Sequence, residues 1–137
     1  MEFLRLSTHN GRTKILIMKA KELQDRIKQV IVALVNSLKP INKSSSGRII
    51  YNQVIRSSMS VGSNYRAACR ARSDKEFYAK LCICVEECDE TVYWLDLLMS
   101  LYPSIEMGLP RINQEFEELL KILSKSRSTI KSRMSNT

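Results

Sequence analysis

Between Ser73 and Tyr102 the chain carries two separate apolar stripes at helical spacing. Phe77, Leu81, Cys84, Cys88, Thr91, Leu95, Leu98 and Tyr102 follow one another at intervals of three or four residues, which is one face of a helix about eight turns long. A second stripe runs through Ile83, Glu87, Glu90, Trp94, Leu97 and Leu101 at the same spacing. A half-buried helix needs one such stripe, whereas a helix with two is covered by neighbours on more than one side. This stretch therefore predicts a long central helix in an all-α protein.

At 137 residues, with only four glycines and three prolines, the chain has the size of one ordinary domain and a composition that favours long helices. No apolar run approaches the roughly 18 residues that span a bilayer, and Met1 to Lys19 lacks the apolar core and small-residue cleavage site of a leader. The expected compartment is the cytoplasm, with no membrane partner. Cys69 falls just before the central helix, and Cys82, Cys84 and Cys88 fall on it. Cys84 and Cys88 share a face while Cys82 points away, and the single histidine, His9, is far off in sequence. That spacing suits small core residues better than a zinc site, so neither metal nor cofactor is expected.

The formal net charge of +8 is unevenly spread. Residues 48–72 hold five arginines and no acid, and residues 73–102 offset them with a net −5. The surplus lies in the outer segments, including the C-terminal stretch, and a surplus of this kind suits a polyanion partner.

In chain order, residues 1–12 read as an irregular N-terminal arm, and 13–123 as a four-helix bundle with helices at about 13–38, 48–71, 73–102 and 109–123 or beyond. Residues 124–137 read as a basic C-terminal tail or an extension of the last helix. Pro40 and the polar run Asn42–Gly47 mark the first connection, and Pro103 to Pro110 marks the third. On the second helix Ile50, Tyr51, Val54, Val61, Tyr65, Ala68 and Cys69 share a face, and Arg48, Arg56, Arg66 and Arg70 form a ridge on another. The small residues Ser57, Ser58, Ser60, Gly62 and Ser63 permit close approach of a neighbour, and Asn64 beside them is placed to bond across helices. Ser73 and Glu76 make a capping box at the start of the third helix. In the fourth, Ile112, Phe116, Leu119, Leu120 and Leu123 form the core face, and Asn113 to Glu118 the polar outer face. Short connections imply antiparallel neighbours and an up-down-up-down topology.

One stripe of the central helix then faces the core and the other is left over. Ile83, Trp94, Leu97 and Leu101 would form an exposed strip on a monomer, and strips of that kind mark association surfaces. The alternative is that the bundle is wide enough to cover both stripes. The carboxylates of Glu87 and Glu90 within the strip need partners, and Arg56, Arg66 or Arg70 is the expected donor, within a subunit or across an interface.

The stretch from Val54 to Leu98 resembles the four-helix-bundle proteins encoded in intervening sequences of bacterial large-subunit (23S) ribosomal RNA genes. The residues that carry the resemblance are Ile55-Arg56-Ser57, Ser60-Val61, Asn64-Tyr65, Ala68, Arg70-Ala71, Ser73, Phe77, Lys80-Leu81, Glu87, Glu90-Thr91 and Tyr93-Trp94-Leu95. Cys84 and Cys88 depart from it, standing where small residues are more usual. The resemblance implies an antiparallel bundle assembling as a ring-shaped homopentamer. It also implies a distant similarity to the accessory variability protein of diversity-generating retroelements, a basic barrel that engages a reverse transcriptase and nucleic acid.

Three classes of function follow. An enzyme is the least supported: the chain has no glycine-rich phosphate loop, and its Ser128-x-x-Lys131 spacing falls in the basic tail. The expectation is a non-catalytic homo-oligomeric adaptor whose basic surface contacts RNA or DNA, with Lys121, Lys125, Arg127, Lys131 and Arg133 as the phosphate contacts. Tyr65, Tyr78 and Tyr93 read as packing residues rather than stacking platforms for bases. The alternative is an interaction scaffold for an unidentified protein partner, with no nucleic-acid contact of its own.

Overall fold

The computed structural model describes residues 11–38, 45–104 and 108–136, with side chains in the first helix from Lys19 onward. Four helices account for nearly all of them: α1 (Gly11–Leu38), α2 (Ser45–Cys69), α3 (Asp74–Leu101) and α4 (Leu109–Ser135). No strand occurs among the described residues. Gly11 and Arg12 are already helical, while His9, the rest of the N-terminal arm and the Pro40 connection lie outside the described residues.

The first stripe of α3 is the core. Phe77, Leu81, Cys84, Cys88, Thr91, Leu95 and Leu98 are all buried, and Tyr102, the C-cap, is half-buried. Each fully buried leucine or phenylalanine contributes roughly 1.5–3 kcal/mol relative to exposure, and the stripe gathers four of them on one helix. It packs against Val54, Val61 and Ala68 of α2 and against Phe116, Leu119 and Leu123 of α4. Contacts of α3 with α2 and α4 are the most extensive in the molecule, and α1 rests more lightly on α2 and α4 through Ile27, Val30 and Leu34.

Direction follows from the side-chain contacts. Ser46 bonds Tyr102, Ser57 lies against Thr91, and Cys84 donates to the Val61 carbonyl, so position rises along α2 as it falls along α3. The two helices run in opposite directions. Their close approach rests on small side chains: Thr91 Oγ1 donates to the Glu87 carbonyl at 2.8 Å and sits 2.8 Å from the buried Ser57 hydroxyl. On the other side of α2, a Cβ placed on Gly62 would come 3.0 Å from Ile31 Cδ1, so the glycine lets α1 lie close.

Ser73 caps α3, its hydroxyl accepting from the Glu76 amide at 3.1 Å. Glu76 returns a carboxylate to the Arg72 amide, one residue upstream of the amide that a capping box usually satisfies. At Gly108 the backbone takes φ 72°, a left-handed turn that a side chain disfavours, and Pro110 follows in the first turn of α4.

Two expectations are corrected. Asn64 does not bond across helices: its amide donates back to the Ser60 carbonyl and hydroxyl at 2.9 and 3.0 Å, the local alternative open to a short polar side chain. Asn113 is not on the outer face; three residues before Phe116 it shares the core face, and it is only 8% exposed. From Ser124 to Ser135 the chain takes the second of its two expected forms, an extension of the last helix, with Ile130 buried near Phe77.

These assignments make a paired prediction in urea denaturation. Leu95→Ala should cost about 2–5 kcal/mol, and Asp96→Ala, on the exposed side of the same turn, less than about 0.5 kcal/mol. Similar costs at the two positions would contradict the assigned faces.

Candidate assembly face and basic surface

The second stripe of α3 is covered only in part by its own chain. Ile83, Glu87, Glu90, Trp94 and Leu97 are half-buried, and Leu101 is 52% exposed. Trp94 and Leu97 touch the edge of the core, whereas Tyr93, one position off the stripe, turns outward with 58% of its surface exposed. The packing role expected for Tyr93 is therefore not met within the chain: a step of one residue rotates it about 100° away from Trp94. Its ring meets Trp94 edge-on at 5.1 Å. Tyr65 is buried as expected, and Tyr78 is half-buried.

The two carboxylates find their donor inside the chain. Arg56 reaches Glu87 through Nη1 at 3.1 Å and Glu90 through Nη2, while its Nε donates to Gln53 at 3.1 Å. Trp94 Nε1 donates to the same Glu90 oxygen at 3.0 Å. The Trp94 hydrogen bond, followed by the Arg56 guanidinium, holds the Glu90 carboxyl below its ordinary range, and the bond to Glu90 raises Arg56 in turn. Gln53, Arg56, Glu87, Glu90 and Trp94 thus form one network along the strip, and it orients the indole.

Arg66 and Arg70, the other candidate donors, are exposed and make no ion pair among the described residues. Both line the cleft between α1 and α2, together with Asp25 and Lys28 of α1, and so lie away from Glu87 and Glu90. A second ion-pair cluster was not anticipated from sequence. Arg26 of α1 binds Glu115 with Nε at 2.5 Å and Glu118 with Nη2 at 2.6 Å, tying the lightly packed α1 to α4. The available signal was the i,i+3 spacing of the two glutamates, which puts them on one side of α4.

The expected phosphate contacts are placed by the helix and not by a tail. Lys121, Lys125 and Lys131 are exposed on the outward side of α4, with Arg127 half-buried on one flank and Arg133 half-buried on the other. Lys125 and Arg133 meet at a small cleft of about 250 Å³ lined also by Phe77 and Ile130. Of the five cations that read as one basic run, the three lysines share the outward side and the two arginines sit on its flanks. Ser128 and Lys131 likewise sit on regular helix.

Cys69, Cys84 and Cys88 are core residues, whereas Cys82 is half-buried and outside the core. Cys84 and Cys88 donate to the carbonyls of Val61 and Phe116, and burial pushes both thiols up to about 12. Cys69 is raised by the same cause, and all four cysteines are free. Among the described residues no group of three His, Cys, Asp or Glu side chains is placed to hold a metal, and no helix is long and apolar enough to cross a membrane.

The family of 23S rRNA-intervening sequence proteins matches over residues 15–125, which includes most of all four helices. The chain belongs to that family. It is also similar to a crystal structure of a protein of unknown function from the S23 ribosomal protein family of Bacteroides thetaiotaomicron. The two share 30% identity and a TM-score of 0.72, over 80% of this chain and 98% of that one. No curated protein matches. The family match covers the Arg56, Glu87, Glu90 and Trp94 network together with the core stripe, and it ends before Arg127, Lys131 and Arg133.

The network carries a pH prediction. A carboxyl whose folded pKa is depressed stabilises the fold above its ordinary value of 4.5, and that contribution is lost as pH falls through the lower folded value. Urea midpoints should therefore drop with acidification below that range in the wild type. In Glu90→Gln the midpoint should start lower at neutral pH and show a shallower acid loss; an unchanged midpoint and an unchanged pH profile would contradict the network.

Proposed function

We propose that the chain is a non-catalytic homo-oligomeric adaptor. In this reading it is an up-down-up-down bundle that assembles into a ring, a pentamer by family resemblance, and contacts RNA or DNA through a basic surface without reading sequence. The observation that carries the reading is the incompletely covered strip of α3. Trp94 and Leu97 are only half-buried by their own chain, and Tyr93 and Leu101 project beyond them, beside a carboxylate pair bridged by Arg56. A strip of this kind suits burial against a second copy, because both carboxylates already share a guanidinium partner, which lowers the cost of covering them. Assembly would multiply the +8 of each subunit and strengthen phosphate binding without any base contact. The four free cysteines fit a reducing compartment, and we place the adaptor in the cytoplasm.

One observation favours the scaffold alternative, a protein partner with no direct nucleic-acid binding. Arg127 and Arg133 are half-buried on opposite flanks of α4, which leaves three of the five cations on its outward side and weakens the case for a phosphate-binding face built from all five. Light scattering with a labelled-RNA salt series separates the readings. The adaptor predicts a multiple of the 15.8 kDa chain mass, near fivefold, and RNA affinity that falls steeply with salt. Leu97→Glu should lower the mass. A salt-insensitive or absent RNA response with the large mass retained would leave the scaffold, and a wild-type monomer would remove both.

A further inference from the structure

The α1/α2 side of the bundle holds a cleft of about 590 Å³, bordered by Lys28, Ile31 and Val32 on α1 and by Gly62, Arg66 and Arg70 on α2. Its formation follows from residues already described. Gly62 and Ser63 place almost no side chain on the α2 wall, and Arg66 and Arg70, one turn apart, rise beside them. Neither arginine forms an ion pair among the described residues; Glu87 and Glu90 of α3 are held by Arg56. Asp25 is the single carboxylate in the lining and pairs with neither arginine, so three cations face one acid. On the opposite wall Val32 is 51% exposed, an apolar surface in the same cleft as the two arginines.

We propose that this groove binds the phosphodiester backbone of a single strand of RNA. Arg66 and Arg70 would present planar forks to the phosphate oxygens, Lys28 would add a point charge from α1, and Val32 and Ile31 would meet sugar or base. The groove is linear, and its cations recur along one helix turn by turn, matching a ligand whose charges repeat along its length. Packed helix axes lie about 8–10 Å apart, so the space between two of them admits an extended strand and not a duplex. This assignment rests on the nucleic-acid reading above and moves its principal contact from α4 to the α1/α2 groove.

The test measures binding of a fluorescein-labelled oligouridylate across a salt series to the full chain. The variants are Arg66→Gln with Arg70→Gln, and Lys121→Gln with Lys125→Gln, which removes the same charge from α4. Circular dichroism and light scattering accompany each variant, and Arg66→Lys with Arg70→Lys tests whether charge alone suffices. The groove variant should bind at least about tenfold more weakly, and its log-affinity slope against log salt should be shallower by about 1.4, two phosphate contacts at about 0.7 each. The α4 variant should keep the wild-type slope, and the lysine variant should bind between wild type and glutamine. Equal losses in both glutamine variants would mean diffuse attraction, and a loss only in the α4 variant would place the contact there; either result overturns the groove while leaving nucleic-acid binding intact. A wild type that does not bind removes the nucleic-acid reading and the groove together. A change of mass in the groove variant would identify the cleft as a subunit contact and overturn the proposal.

Discussion

Burial of one face of α3 between α2 and α4 is the contact on which the remaining structure depends. Phe77, Leu81, Leu95 and Leu98 are removed from water there, and small residues stand between them: Cys84, Cys88 and Thr91 on α3, Ser57, Ser58 and Val61 on α2. Close-packed interiors tolerate little change in volume, so the small residues set how near the two helices lie and the large ones set what fills the space. Polar atoms in this layer are satisfied locally. Thr91 and Ser57 bond each other or their own helix backbones, and the two thiols reach neighbouring carbonyls. A layer of this kind gives α3 one orientation about its axis, and with it the direction of its second stripe.

That orientation decides the electrostatics. With the core stripe inward, Glu87 and Glu90 come level with Arg56 and within reach of its guanidinium, and Trp94 is drawn against Glu90. Exposed ion pairs contribute little to stability, typically below about 1 kcal/mol. The importance of this network lies in what it arranges: it gives both acids a shared cationic partner on a strip that also carries Leu97, Leu101 and Tyr93. Arg66 and Arg70 instead border the α1/α2 groove, where Lys28 adds a third cation and Asp25 is the one acid in the lining.

Much of this was legible in the residues because helix periodicity is a strong and local signal. The two stripes of α3, the core face of α2, the Ser73 cap and the pairing of an arginine of α2 with Glu87 and Glu90 all follow from spacing. What spacing does not carry is the rotation and register of one helix against another. Asn113 looked solvent-facing because polar neighbours surround it in sequence, although it stands one turn from Phe116 on the same face. Asn64 has an acceptor on its own helix as near as any on another, and only the packed structure selects between them. The choice of Arg56 over Arg66 and Arg70 follows from which side of α2 meets α3, and the link from Arg26 to Glu115 and Glu118 joins residues far apart in sequence. The basic C-terminal run looked contiguous because its charges are close in sequence, but the helix that carries them turns about 100° per residue and distributes them around its axis.

The central claim is that α3 has two working faces, one committed to its own core and one held for another copy. Trp94, the only tryptophan, lies on the second face and reports on it directly. The decisive measurement is acrylamide quenching of its fluorescence over a dilution series. If the face is an assembly surface, Trp94 is shielded in concentrated protein, and quenching rises on dilution as copies separate and the indole returns to its half-buried state. Quenching that stays at the level of a half-exposed indole at every concentration, with the fold intact, would contradict the claim.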